Sequence, residues 1–455
     1  RKMKIRVAFF AVVLAASFTA FVSAQGKNAK TPDVIFVEEL QSLLNTGDLE
    51  KAISHFDRMP SSLAKNSDIK LLKASILVSA NRLTEASEIT NKILENEPAN
   101  KGAMEIAAQI AIAEGNTSAK NAAVKKILAS DPHNAAANII LGDQQQASKK
   151  YKSALVFYKR ALEGEPNNRD ALYGVAKMSW FTGDIKSADK YFRKLNQLYP
   201  NDHESLAYLG KLAAENENYK VALDFVRKAI NLSPETYDYY LDLGSYLRNI
   251  GKYEDAENAW TKAIEIEPTY FLAYAYRAGL RDEQEKIADA LSDYHMVVKC
   301  NPDYYFAYEE IGILEFHEKN WETARTYFAK ANSIKSQTAY QLMIVATYIQ
   351  EKNIFEAKKA ADIALKRIPD RDSLDYKLIR LYKDQGPVNA ETSIALDLSK
   401  ETDKNKRGKM TYYLGLYYEM KGSLAIAKEY YSKITSMQSP LFFEYRLAEW
   451  GEKGL

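Results

Sequence analysis

Seven prolines, Pro98, Pro132, Pro166, Pro200, Pro234, Pro268 and Pro302, stand at a constant interval of 34 residues. The chain has twelve prolines in 455 residues, so more than half share one register. Proline lacks an amide hydrogen and fixes φ, so each one bars a helix from running through it. Stops recurring at a period of about 20 to 50 residues mark stacked repeats, each too small to bury a core alone. The length therefore suits one continuous array and does not require two or three separate globular domains.

With the ladder proline at position 32 of the unit, other columns become readable. Position 20 holds Ala86, Lys120, Ala154, Ala188, Ala222, Ala256 and Ala290, and position 8 holds Ala108, Gly142, Ala176, Gly210, Gly244, Ala278 and Gly312. Small residues in both columns predict two helices that cross closely, because a larger side chain at the crossing would push the axes apart. Bulky residues fill position 17 (Tyr151, Ile185, Tyr219, Tyr253, Ile287, Trp321) and position 24 (Tyr158, Phe192, Val226, Trp260, Tyr294, Phe328). Both columns are expected to be the wedges of the core. Between the small columns come breaks such as Thr182-Gly183-Asp184, whose glycine can take the left-handed conformation that ends a helix. The unit is helix, turn, helix.

This pattern closely resembles the tetratricopeptide repeat, best in residues 237–270 with Tyr240, Leu243, Gly244, Gly251, Tyr253, Ala256, Trp260, Ala263 and Pro268. The resemblance implies an all-α fold, a right-handed superhelical solenoid of about twelve repeats over 33–440. Residues 25–32 form a linker and 441–455 a capping helix and tail, with Leu441 to Trp450 read as the closing helix. Unit 372–405 is the weakest, with a polar connector from Lys400 to Arg407. Unit 101–134, with Ala107, Ala108, Ala111 and Thr117 where neighbours are larger and Lys120 in the alanine column, is expected to be underpacked and a candidate hinge.

Residues 1–24 carry a basic start, an apolar stretch from Val7 to Val22 and small residues before Gln25, as a secretory signal peptide does. About sixteen apolar residues fall short of the ~20 of a spanning helix, so a retained anchor is the lesser alternative. Without this segment, which carries four basic and no acidic side chain, the formal charge passes from +2 to −2. A near-neutral chain argues against a nucleic-acid or anionic-membrane footprint, and no direct membrane insertion of the mature chain is expected. Cys300 is the one cysteine, so there is no disulfide framework and no lipid-modifiable cysteine after the apolar stretch. The expected compartment is the bacterial periplasm.

No catalytic, cofactor or metal constellation emerges. The five histidines are dispersed and Gly244 to Lys252 only superficially resembles a phosphate loop, with six residues between its glycines and Tyr253 where Ser or Thr must follow lysine. Asp370, Asp372 and Asp375 lack the glycine and distal glutamate of a calcium loop. The chain reads as a non-enzyme without cofactors.

By the resemblance, first helices line an inner groove into which positions 2, 5, 9, 12 and 13 point. The nominated partner-binding residues are Tyr173, Lys177, Trp180, Phe181, Lys211, Arg248, Phe306, Phe316 and His317. Trp180 and Phe181 lead, since neither position is needed to pack the repeat and large aromatics are enriched at binding hot spots. Packing on a neighbouring unit is the alternative. Position 4 tyrosines (Tyr240, Tyr274, Tyr308) are expected in the core, while those beside the ladder, such as Tyr237, Tyr270 and Tyr304, are ambiguous. The family's clamp for a chain-terminal carboxylate needs lysine at position 5, where this chain has Tyr173, Ala207, Leu241, Ala275 and Glu309. The expectation is a cell-envelope scaffold that holds a protein partner for assembly, secretion or export. A periplasmic accessory of a small-ligand transporter is the alternative.

Overall fold

The structure is a computed structural model that describes residues 31–384, 386, 389–438 and 440–454. The expected signal peptide at 1–24, and residues 25–30 of the linker, lie outside the described residues. The described residues hold 25 α-helices, one short 3-10 turn at Phe56–Arg58 and no strand. The chain divides into two compact units, one reaching Leu212 and the other starting at Ala213. Helices pair in the expected register, for example Arg169–Phe181 with Ile185–Leu198 and Tyr305–His317 with Trp321–Ile334. The second helix of one pair packs on the first of the next, as Tyr151–Gly164 does on Arg169–Phe181 and Tyr253–Ile266 on Phe271–Glu283.

The ladder proline stops one helix, and the residue two places on starts the next. Asn100, Asn134 and Asn168 accept through their side-chain oxygens from the amides of Ala103, Ala137 and Ala171 at 2.9, 2.9 and 3.0 Å. Asp202 accepts likewise from the Ser205 amide at 2.7 Å. Each bond satisfies an amide that the first helical turn leaves without a partner. Further on, Thr236, Tyr270 and Tyr304 occupy this place and make no such bond. For the Phe271–Glu283 helix the missing acceptor comes from one repeat earlier, where the Tyr237 hydroxyl accepts from the Ala273 amide at 2.9 Å. One of the ambiguous ladder tyrosines is therefore a cap.

The turn inside each pair is left-handed whether or not it holds glycine. Gly47, Gly115, Gly183 and Gly251 have φ between +69° and +82°, and Asn81, Lys149, Glu217, Glu285 and Lys319, at the same position of other units, lie between +57° and +63°. An ordinary side chain in this region costs about 1–2 kcal/mol, so the geometry is imposed by the packing of the two helices.

At the crossings, ring meets missing Cβ. A Cβ on Gly244 would lie 2.4 Å from the Trp260 indole, one on Gly312 would lie 2.9 Å from Phe328, and one on Gly142 would lie 2.7 Å from Tyr158. Ala154, Ala188, Ala222, Ala256, Ala290 and Ala324 of position 20 are fully buried. Position 24 is core as expected, but position 17 is not: Ile185 is 37% exposed and Tyr253 47%. These residues open the second helix directly after the left-handed turn, where only one side of the side chain can be covered.

Three other expectations shift. The polar connector shrinks, because Asp403 caps a helix that already begins at Lys404 and runs to Met420. The closing helix spans Glu444–Gly454 and starts three residues later than Leu441. Of the position 4 tyrosines, Tyr274 is buried while Tyr240 and Tyr308 are half-buried. In unit 101–134 the Thr117–Ser130 helix buries only Val124 and Ile127, whereas Tyr253–Ile266 buries Ala256, Ala259, Trp260 and Ala263.

Candidate functional site

In the first unit the nominated residues join an aromatic ladder across successive helix pairs. Phe181 closes the Arg169–Phe181 helix and stacks on Tyr151 of the preceding pair at 4.8 Å between ring centroids. Trp180 lies beside Phe181 at 5.2 Å and edge-on to Tyr208 of the following pair at 5.5 Å. Tyr208 in turn stacks on Phe192 at 4.8 Å. Phe181 is 43% exposed and Trp180 half-buried, so the ladder both packs the repeats and shows a face to solvent.

Tyr173 is a correction. It is buried at 6% exposure, with Phe192 and Tyr208 edge-on at 6.1 and 6.0 Å. Burial pushes its phenol well above the ordinary value, so it stays neutral. Lys177 and Arg169 lie over its ring at 5.4 and 5.5 Å, a cation–π pair that fixes the half-buried Lys177. Lys211 is half-buried. The sequence had not singled out the lysines near Phe181: Lys149, Lys150 and Lys152 join Tyr151, Phe181 and Thr182 around a shallow, open depression. The Lys-Lys-Tyr-Lys run at the turn was the available signal.

In the second unit the nominated residues do not form one site. Arg248 is exposed and ion-paired with Glu283. Phe306 is 47% exposed and stacks on Tyr305 at 4.1 Å. Phe316 is a correction, a core residue at 7% exposure that meets Trp321 edge-on at 5.0 Å. His317 stacks on Trp450 of the closing helix at 4.0 Å, and burial lowers its pKa, which keeps the imidazole neutral.

Asp293 in the second unit is a buried charge paired within the fold. Asp293, 2% exposed, accepts from Arg277 at 2.8 and 2.7 Å and from Arg281 at 3.0 Å, and Arg281 reaches Glu257 at 2.7 Å. This network ties one first helix to the second helices on either side, as buried charges require. In the phosphate-loop look-alike, Gly244 is a packing residue and Gly251 a turn residue. Asp370 accepts from the Asp372 amide at 3.0 Å, and the Ser373 hydroxyl donates to the Asp370 carbonyl at 2.7 Å, which makes this a helix-start turn. Among the described residues no group of three or more His, Cys, Asp or Glu side chains could hold a metal, and no helix is long and apolar enough to cross a membrane.

Paired helices in a fixed register define a helical-repeat protein. Residues 170–202 and 237–270 match tetratricopeptide repeat families. The chain thus carries tetratricopeptide repeats, which indicate a scaffold for protein–protein interaction and are generally not catalytic. Similar solved structures include pilF of Pseudomonas aeruginosa, 20% identical over 44% of this chain and 92% of that one, TM-score 0.41. A tetratricopeptide repeat protein from Parabacteroides merdae is 21% identical over 54% and 97%, TM-score 0.41. The anaphase-promoting-complex assembly Cut9–Hcn1 is 17% identical over 70% and 63%, TM-score 0.49. No curated protein matches the chain.

Proposed function

We propose that the protein is a non-enzymatic scaffold of the bacterial cell envelope that holds a segment of a partner protein against the Trp180–Phe181 face. The observation that carries this reading is the exposed Phe181–Tyr151 stack beside Lys149, Lys150 and Lys152. An aromatic platform costs little side-chain entropy when a partner lands on it, and the lysines favour a segment with carboxylates flanking an apolar side chain. The envelope assignment rests on the signal-like residues 1–24 and the near-neutral remainder.

A photo-crosslinking residue placed at position 181 of the full chain in intact cells is expected to capture one envelope protein. The same residue at Phe355, 77% exposed on an unrelated helix, is expected not to capture it. Identical products from both positions would reject the assigned face. Recovery of the chain in the cytoplasmic fraction would reject the compartment and leave the face untouched.

A further inference from the structure

A terminal cap needs only to cover the apolar end of the last repeat. The Glu444–Gly454 helix does this with one side: Leu447 and Ala448 are buried, and a Cβ on Gly451 would lie 2.5 Å from the Tyr431 ring. Its other side reaches back along the chain. Arg446 is ion-paired with Asp282, and its Nη2 donates to the Asp282 carbonyl at 2.8 Å. Trp450 stacks on His317 at 4.0 Å under the Arg446 guanidinium, which sits 4.3 Å from the indole. Just before the helix Phe443 stacks on Tyr340 at 5.9 Å, and Glu444 accepts from the Tyr413 hydroxyl at 2.9 Å. Asp282, His317, Tyr340 and Tyr413 come from four different helices, each the first of its pair. A helix laid across the first helices of several repeats is a helix in a groove.

The seat is not a finished core. Asp282 is 4% exposed, yet its Oδ1 has no hydrogen-bond partner, nor has the buried Oε2 of Glu444. Unmatched buried oxygens cost free energy that a better-fitted occupant would recover. The anchors toward Asp282 and His317 are one ion pair and one ring stack, and Trp450 also packs against the buried cluster of Tyr274, Ile311 and Leu314.

We propose that this first-helix groove of the second unit is a protein-binding site held closed by the chain's own C-terminal helix, and that it admits an amphipathic helix carrying arginine with an aromatic residue four places on. Arg446 and Trp450 are the template, since residues four apart share one helix face. With the helix lifted, the buried Asp282 loses the Arg446 cation it is paired with, a charge that a basic anchor complements. All of these residues lie in the second unit, so the test below does not touch the Phe181 face.

The probes are fluorescein-labelled peptides of residues 441–455, with the natural sequence or with R446D, titrated into full-length chain and followed by anisotropy. A groove that is mostly closed lowers the apparent affinity by its open fraction. The full-length R446D chain should bind the natural peptide at least about tenfold more tightly than the wild-type chain does. The D282R chain should bind only the R446D peptide, because both partners of the ion pair are then reversed. Equal binding of the natural peptide by wild-type and R446D chains would overturn the closure. An R446D chain that is helical by circular dichroism and binds neither peptide would also overturn it, leaving the helix as a permanent cap. Concentration-dependent wild-type dimers that the natural peptide dissolves would replace the foreign partner with a second copy. Should the charge variants not fold, native-state hydrogen exchange of the wild-type chain decides. Faster exchange in 444–454 than in 424–435 supports a helix that lifts alone, and equal exchange refutes it.

Discussion

Gly244 sets the distance between two helices, and replacing it with alanine tests the packing rule of the whole array. The new Cβ would lie 2.4 Å from Trp260 Nε1, 2.6 Å from Cδ1 and 2.7 Å from Cε2. Trp260 is 1% exposed and its indole N–H donates to the Leu241 carbonyl at 3.2 Å, so the ring has nowhere to move without leaving that bond. Overpacking costs about 1–3 kcal/mol and a stranded buried donor about 1–3 kcal/mol, so Gly244→Ala should destabilise its repeat by roughly 2–6 kcal/mol. Gly279 is the control: it also lies inside a helix, but a Cβ there meets nothing within 4 Å. Gly279→Ala should stabilise by about 0.5–1 kcal/mol, because only the backbone entropy of glycine is removed. Repeat arrays need not unfold in two states, so the assay is hydrogen exchange resolved over 237–270 and 271–304, alongside urea denaturation. Substitutions that move stability in the same direction would refute the close-crossing account.

Three further outcomes are expected. Burial pushes the Glu444 carboxyl up to about 7, and Lys409 and the Tyr413 hydroxyl only partly offset this; desolvation also raises the nearby Glu309. The unfolded chain loses this proton in the ordinary carboxylate range, so stability is fullest below that range, falls as pH rises to about 7 and then levels off. The loss is up to roughly 3 kcal/mol, and urea denaturation across pH 4 to 8 should show a steeper fall in the wild-type chain than in Glu444→Gln, which keeps Glu310, a carboxyl that burial likewise pushes up to about 7. Glu285→Gly, at φ +58° in a turn where other repeats use glycine, should stabilise by up to about 1 kcal/mol, and a lowered urea midpoint would contradict the imposed left-handed turn. Residues 101–134 should show lower exchange protection than 237–270, since Thr117–Ser130 buries two side chains where Tyr253–Ile266 buries four, and equal protection would sink that expectation.

The candidate residues show how far a repeat register reaches. Trp180 and Phe316 share position 12, yet one is half-buried at the edge of an aromatic ladder and the other is core against Trp321. Tyr173, at position 5, is buried because Phe192 and Tyr208 converge on it from two other helices. A column fixes the direction in which a side chain leaves its own helix. What covers that side chain comes from other repeats, whose residues vary independently.

The same division runs through the whole chain. Local chemistry written in the sequence determined the 34-residue period, the all-helical pairs, the proline stops, the asparagine caps and the Gly or Ala at each crossing, because each acts within a few residues or one helix pair. Only the tertiary structure decided that Tyr237 caps a helix 36 residues on, that glutamate and lysine take the glycine conformation in several turns, and that position 17 stays out of the core. It alone brought Arg446 to Asp282 across 164 residues. A period describes neighbours one repeat apart, and contacts over such a separation depend on how the helices between them are stacked.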